Sequence, residues 1–108
     1  MDKITINGRE CRVECNWRAC TEFLKAKGSD TIQGLTDIAT LAPSDLALLA
    51  ICCIREGERL EGRDCDLQND YIDTLPMVEA MAVITSFIRI YSSQSQPKSS
   101  GEDNKKKD

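Results

Sequence analysis

Nine consecutive apolar residues, Leu46 to Ile54, stand between Pro43-Ser44-Asp45 and a stretch dense in charge, Arg55 to Gly62. Ser44 can accept hydrogen bonds from the first free amides of a helix, so the spacing predicts a helix opening there. Its apolar residues cover every side, which only full burial tolerates. Nine residues fall well short of the roughly 20 that a membrane-spanning helix requires. The segment therefore reads as the central helix of a small core, with no membrane role, and Cys52 and Cys53 read as packing residues.

The rest of the chain must enclose that helix. A length of 108 residues with 41% hydrophobic content suits one domain. We expect a single globular domain over residues 1–91 and a disordered polar tail over 92–108. The tail, SSQSQPKSSGEDNKKKD, has no aliphatic or aromatic side chain to bury. The formal charge is −4. An acidic body disfavours nucleic-acid binding, which depends on clustered Lys and Arg. The first residues lead from charge directly into a strand-like alternation, with no apolar leader, so a cytoplasmic location is expected. Six cysteines in that setting read as reduced thiols.

Ile4-Thr5-Ile6 alternates apolar with polar, Asn7-Gly8 follows, and Cys11, Val13, Cys15 and Trp17 then take every second position. Asn-Gly between two alternating runs predicts a hairpin closed by a type I′ turn. From Asn16 the period becomes helical. Trp17, Cys20, Phe23 and Leu24 form a stripe, Asn16 can cap it, and Gly28 can end it. A second short helix is predicted after Ser29 or Asp30, with Ile32, Leu35, Ile38, Ala39 and Ala42 inward and Pro43 at its end. Glu56 to Asp66 holds Gly57, Gly62 and many charges, and reads as an exposed connection. Asp66 can cap a short turn through Leu67, Tyr71 and Ile72. Thr74-Leu75-Pro76 opens a last helix, predicted to run to about Tyr91.

That last helix carries two apolar stripes: Met77, Met81, Ile84, Ile88 and Tyr91 at 4-3-4-3 spacing, and Ala80, Val83, Phe87 and Ile90 beside them. One stripe suffices to attach it. Either both are buried, or part of the surface is left for a partner, since methionine adapts to varied contacts and surplus apolar surface marks association. Self-association would use the same surplus.

Catalytic chemistry has little to work with. The chain has no histidine, which removes the commonest general base and metal ligand. The cysteines form no C-x-x-C knuckle for zinc. Asp64, Asp66, Asp70 and Asp73 resemble a calcium loop only until its sixth and twelfth positions, which are Asn69 and Leu75 instead of Gly and Glu. Gly57 and Gly62 lie among glutamates that would repel phosphate. No catalytic residue, cofactor or metal is assigned.

Taken in order, ITINGRECRVEC, NWRACTEFLKAKG, LAPSDLALLAICCIREGERLEG, DCDLQNDYID and PMVEAMAVITSFIRIY resemble the tail assembly chaperones of long-tailed bacteriophages. The likeness spans about residues 4–91 and is one of pattern. It implies a non-enzymatic protein of the bacterial host cytoplasm, encoded by a phage or prophage. Such a protein binds the long helical tape measure protein, keeps it soluble and passes it to tail tube subunits. Many members of that family are also made in a longer frameshifted form, for which Lys105-Lys106-Lys107 is the candidate slippery site if its codons are adenine-rich; such a lysine run is more often merely solubilising. Helix-on-helix contact through Met77, Met81, Ile84, Ile88 and Tyr91 is the expected partner surface. The six cysteines are not explained by the resemblance.

The resulting expectation is an α+β, mainly helical domain in which an N-terminal β-hairpin packs on about four helices. Its leading function is tail assembly chaperoning. A small cytosolic regulatory adaptor binding a host protein, or a cysteine metal or redox protein, are the alternatives.

Overall fold

The computed structural model describes residues 2–6, 8–28 and 41–94. The chain opens with strands β1 (Lys3–Ile6) and β2 (Arg9–Arg12), paired antiparallel with Ile4 opposite Cys11 and Ile6 opposite Arg9. This register leaves two residues for the turn. Gly8 has φ +78°, a left-handed conformation that glycine adopts without a Cβ penalty; Asn7 is outside the described residues. Ile4, Ile6 and Cys11 are buried while Lys3 and Thr5 are exposed, the alternation of a sheet with one wet face. The Val13 N–H donates to the Asp2 carbonyl at 3.0 Å, carrying the pairing one step further.

Helix α1 (Trp17–Lys27) follows at once. Asn16 caps it, its Oδ1 accepting from the Ala19 N–H at 3.0 Å, and Gly28 ends it at φ 80°. Ala19 and Phe23 are buried and Leu24 packs against the core. Trp17 departs from the expected stripe. It is the first residue of the helix and is 71% exposed.

Helix α2 spans Pro43–Leu60. It begins one residue before Ser44, with Ala42 as the N-cap and no side-chain cap. Proline at the first helical position presets φ and needs no donor, so the cap was dispensable. Asp45 in the first turn instead pairs with Lys27 of α1, Nζ to Oδ2 3.1 Å. The apolar run is central as expected: Ala47 and Leu49 through Ile54 are buried against the hairpin, α1 and the following elements. Each buried Leu or Ile among them contributes about 2 kcal/mol.

The expected exposed connection from Glu56 is corrected by the structure. α2 continues to Leu60, and Glu56, Gly57 and Glu58 are all buried. A Cβ at Gly57 would lie 2.1 Å from the Arg12 carbonyl oxygen, so the helix backbone approaches the end of β2 as only glycine permits. That approach delivers Glu58, 0% exposed, to a set of donors that fills both its oxygens. Arg9 Nη2 (2.7 Å) and Arg63 Nε (3.0 Å) donate to Oε1. The Arg12 N–H (3.1 Å) and Arg63 Nη2 (2.9 Å) donate to Oε2. Glu56 is held similarly by Arg59, at 2.9 and 2.8 Å, and by Asn16 Nδ2 at 2.8 Å. Burying a carboxylate is costly unless it is paired and hydrogen-bonded, and here both are. The hydrogen bonds from Arg63 hold Glu58, and those from Arg59 hold Glu56, below the usual carboxylate range despite the opposing effect of burial.

Gly62 turns the chain out of α2 at φ +78°. A 3-10 turn at Ile72–Thr74 buries Ile72, five residues beyond the expected turn start at Leu67. Helix α3 (Met77–Gln94) then begins directly after Pro76 and runs past Tyr91. The reason for its extra length is Gln94. Its amide accepts from the Cys15 N–H at 2.7 Å and donates to the Val13 carbonyl and the Asp2 carboxylate, each at 3.0 Å. The final turn is thereby tied to the base of the hairpin. Ser92 to Gln94 belong to the folded unit and not to a tail.

Among the described residues the fold is mainly helical, with three α-helices and one 3-10 turn on a two-stranded hairpin. About four helices were expected; the remaining one, after Ser29 or Asp30, lies outside the described residues, as does the tail from residue 95. No described helix is long and apolar enough to cross a membrane.

Candidate interaction surface

Helix α3 is fixed by one of its two apolar stripes. Val83, Phe87 and Ile90 are buried, Ala80 packs beside them, and the Phe87 and Tyr91 rings stack at 5.8 Å with a 58° tilt. The other stripe, expected to face a partner, divides. Ile84, Ile88 and Tyr91 are half-buried, with Ile84 and Tyr91 packed against the core. Met77 and Met81 are open, at 76% and 56% exposure.

The open end contains a residue that the stripe pattern omitted. Val78 is 81% exposed, more than either methionine. On the helix it lies beyond the methionines, on the side away from the buried stripe, and an apolar residue off both stripes was the available signal. Ala82, one turn on from Val78, is exposed and lines a groove between α3 and β1 of about 270 Å³. Ile6, Tyr71, Leu75 and Val83 contribute its apolar walls, and Glu79 stands at its edge. Met77, Val78, Met81 and Ala82 therefore form an apolar ledge beside an apolar groove.

A second groove, of about 180 Å³, lies between α1 and α2 and is lined by Arg18, Glu22, Cys52, Arg55, Glu56 and Arg59. Its arginines are already engaged: Arg18 and Arg59 pair with Glu56, and Arg55 donates to Asn69. Each of these arginines thus already has a partner in or beside the groove wall.

No protein-family model, curated protein or solved structure matches the chain.

Five of the six cysteines lie in or against the core, and Cys20, expected there from its helical stripe, does not. Cys11, Cys52 and Cys53 are buried, Cys15, Cys20 and Cys65 are half-buried, and all six are free thiols. Burial pushes the Cys11, Cys20 and Cys52 thiols up, away from the reactive thiolate. Among the described residues, no group of three Cys, Asp or Glu side chains is arranged to hold a metal ion. Asp64, Asp66, Asp70 and Asp73 are exposed on the connection before α3.

Proposed function

We propose that this chain is a tail assembly chaperone of the long-tailed phage kind, which covers an apolar helical segment of a tape measure protein with the open end of α3. The observation that carries the reading is the exposure of Met77, Val78 and Met81 together on one end of a helix whose opposite face is anchored in the core. A soluble monomer gains nothing from three large apolar side chains in water, and such patches mark association surfaces. The adjoining groove offers a place for side chains of a second helix, the helix-in-groove mode of recognition. Methionine at two of the three positions suits a partner with many similar but unequal segments, because its unbranched side chain repacks readily. The acidic charge keeps the loaded complex soluble. Delivery to tail tube subunits follows from the resemblance set out above.

The test is co-expression with the tape measure protein, reading the soluble, co-purifying fraction. The chain should retain the tape measure protein in solution. A Val78→Asp, Met81→Asp double variant should lose it while keeping its own fold, because both sites are solvent-exposed. Retention by the folded double variant would remove the α3 ledge from the account, and failure of the unaltered chain to bind any long helical protein would remove the chaperone reading.

A further inference from the structure

The segment that leaves β2 crosses the middle of α2. The Glu14 N–H donates to the Cys53 carbonyl at 3.0 Å, which brings residue 15 beside the same helical turn. Residues 15 and 53 thus stand on the two facing elements of this crossing. The Cys15 N–H is fixed from α3 by Gln94 at 2.7 Å, so the juxtaposition is held from two directions. Two other thiols are placed differently: the Cys11 Sγ donates to the Arg9 carbonyl at 3.8 Å, and Cys52 lines the groove between α1 and α2.

We propose that Cys15 and Cys53 are an oxidation site, closing to an intramolecular disulfide when the protein meets a low-molecular-weight disulfide such as oxidised glutathione. Cys15 reacts first because it is half-buried, whereas Cys53 is 1% exposed. The Cys15 thiolate attacks one sulfur of the oxidant. A mixed S–S bond forms, the oxidant's own S–S bond breaks, and the departing thiolate takes up the proton that Cys15 gave to water. The Cys53 sulfur then attacks the Cys15 Sγ. The protein disulfide forms, the mixed bond breaks, and the second small thiol leaves with the Cys53 proton. Two protein thiols are oxidised and one small disulfide is reduced to two thiols.

The order of events has a physical basis. The neighbouring Cys15 thiol, and then burial, push the Cys53 thiol up, and at 1% exposure it is closed to solutes. It becomes competent when the electrophilic sulfur is delivered to its neighbour. The pair lies by Gln94, at the opposite end of α3 from Met77, Val78 and Met81. Closing the bond leaves the proposed docking ledge unaltered, so the two proposals stand or fall separately.

The test is to equilibrate the native full chain in glutathione redox buffers, block remaining thiols by alkylation and weigh the protein. Two of the six thiols should disappear without a retained glutathione adduct. Trypsin should then release the peptide of residues 13–18 joined to that of 28–55, with the link assigned to Cys53 by fragmentation or in a Cys52→Ser background. A Cys15→Ser variant should form no internal bond. Six alkylated thiols in oxidising buffer, a link from Cys15 to Cys52, a stable glutathione adduct on Cys15 beside a free Cys53, or bond formation in Cys15→Ser would each overturn the proposal.

Discussion

Gly57→Ala is the substitution on which two physical rules give opposite signs. In the interior of a helix, alanine is favoured over glycine by about 1 kcal/mol. In this structure the new Cβ would lie 2.1 Å from the Arg12 carbonyl oxygen, 2.4 Å from its carbon and 2.9 Å from the Val13 nitrogen. All three are backbone atoms, so no side chain can swing aside, and α2 must move from β2 by more than 1 Å to reach an ordinary contact of about 3.4 Å. Overpacking of that kind costs about 1–3 kcal/mol. The same movement stretches two hydrogen bonds across the seam, from the Arg12 N–H to Glu58 and from the Glu14 N–H to the Cys53 carbonyl. Each contributes about 1 kcal/mol. Set against the helix gain, the net loss is about 3 kcal/mol. Urea unfolding followed by far-UV circular dichroism is the suitable assay, because the only tryptophan is Trp17, already exposed in the folded state. With an m-value of about 1–1.5 kcal/mol per M, the midpoint should fall by about 2 M or more. Gly62→Ala, at φ +78° but with nothing within 4 Å of its new Cβ, should lose only about 1 kcal/mol. An unchanged or raised midpoint for Gly57→Ala would refute the close approach of α2 to β2.

Three further expectations concern the same framework. The stability supplied by Glu56 and Glu58 should be fully present above the unfolded carboxylate value of about 4.3 and lost as pH falls through their lowered folded values; urea midpoints from pH 7 to pH 3 should drop, and less steeply in Glu58→Gln. Phe87→Ala should cost about 3–5 kcal/mol and Met81→Ala about 0.5 kcal/mol or less, a contrast in thermal midpoint that separates the anchoring stripe from the open ledge. Gln94→Ala should cost about 1–2 kcal/mol by freeing the Cys15 N–H and the Val13 carbonyl, measured by denaturation and by faster amide exchange at Cys15.

Local signals in the sequence translated well into structure. The hairpin turn at Gly8, the Asn16 and Gly28 ends of α1, the nine-residue apolar run and Pro76 before α3 each act within a few residues, through φ preference, capping or periodicity. Glu56, Gly57 and Glu58 were read as exposed because charge and glycine taken alone favour solvent and turns. Their burial depends on Arg9, Arg12 and Asn16, forty and more positions away, and no local rule reports a carboxylate's distant partner. The length of α3 was missed for the same reason, since Gln94 is held by Asp2, Val13 and Cys15 at the other end of the chain. Trp17 and Val78 show the limit of periodicity itself. A stripe says which residues can share a face, but exposure at a helix end depends on where the neighbouring elements stop.

The central claim, that the open end of α3 receives a helix, is most directly examined by methyl NMR. The chain has three methionines, so selective labelling yields a simple spectrum that includes Met77 and Met81. On titration with a soluble helical segment of the tape measure protein, the Met77 and Met81 methyl signals should shift and saturate together. Saturable binding that leaves both methyl signals unmoved would contradict it.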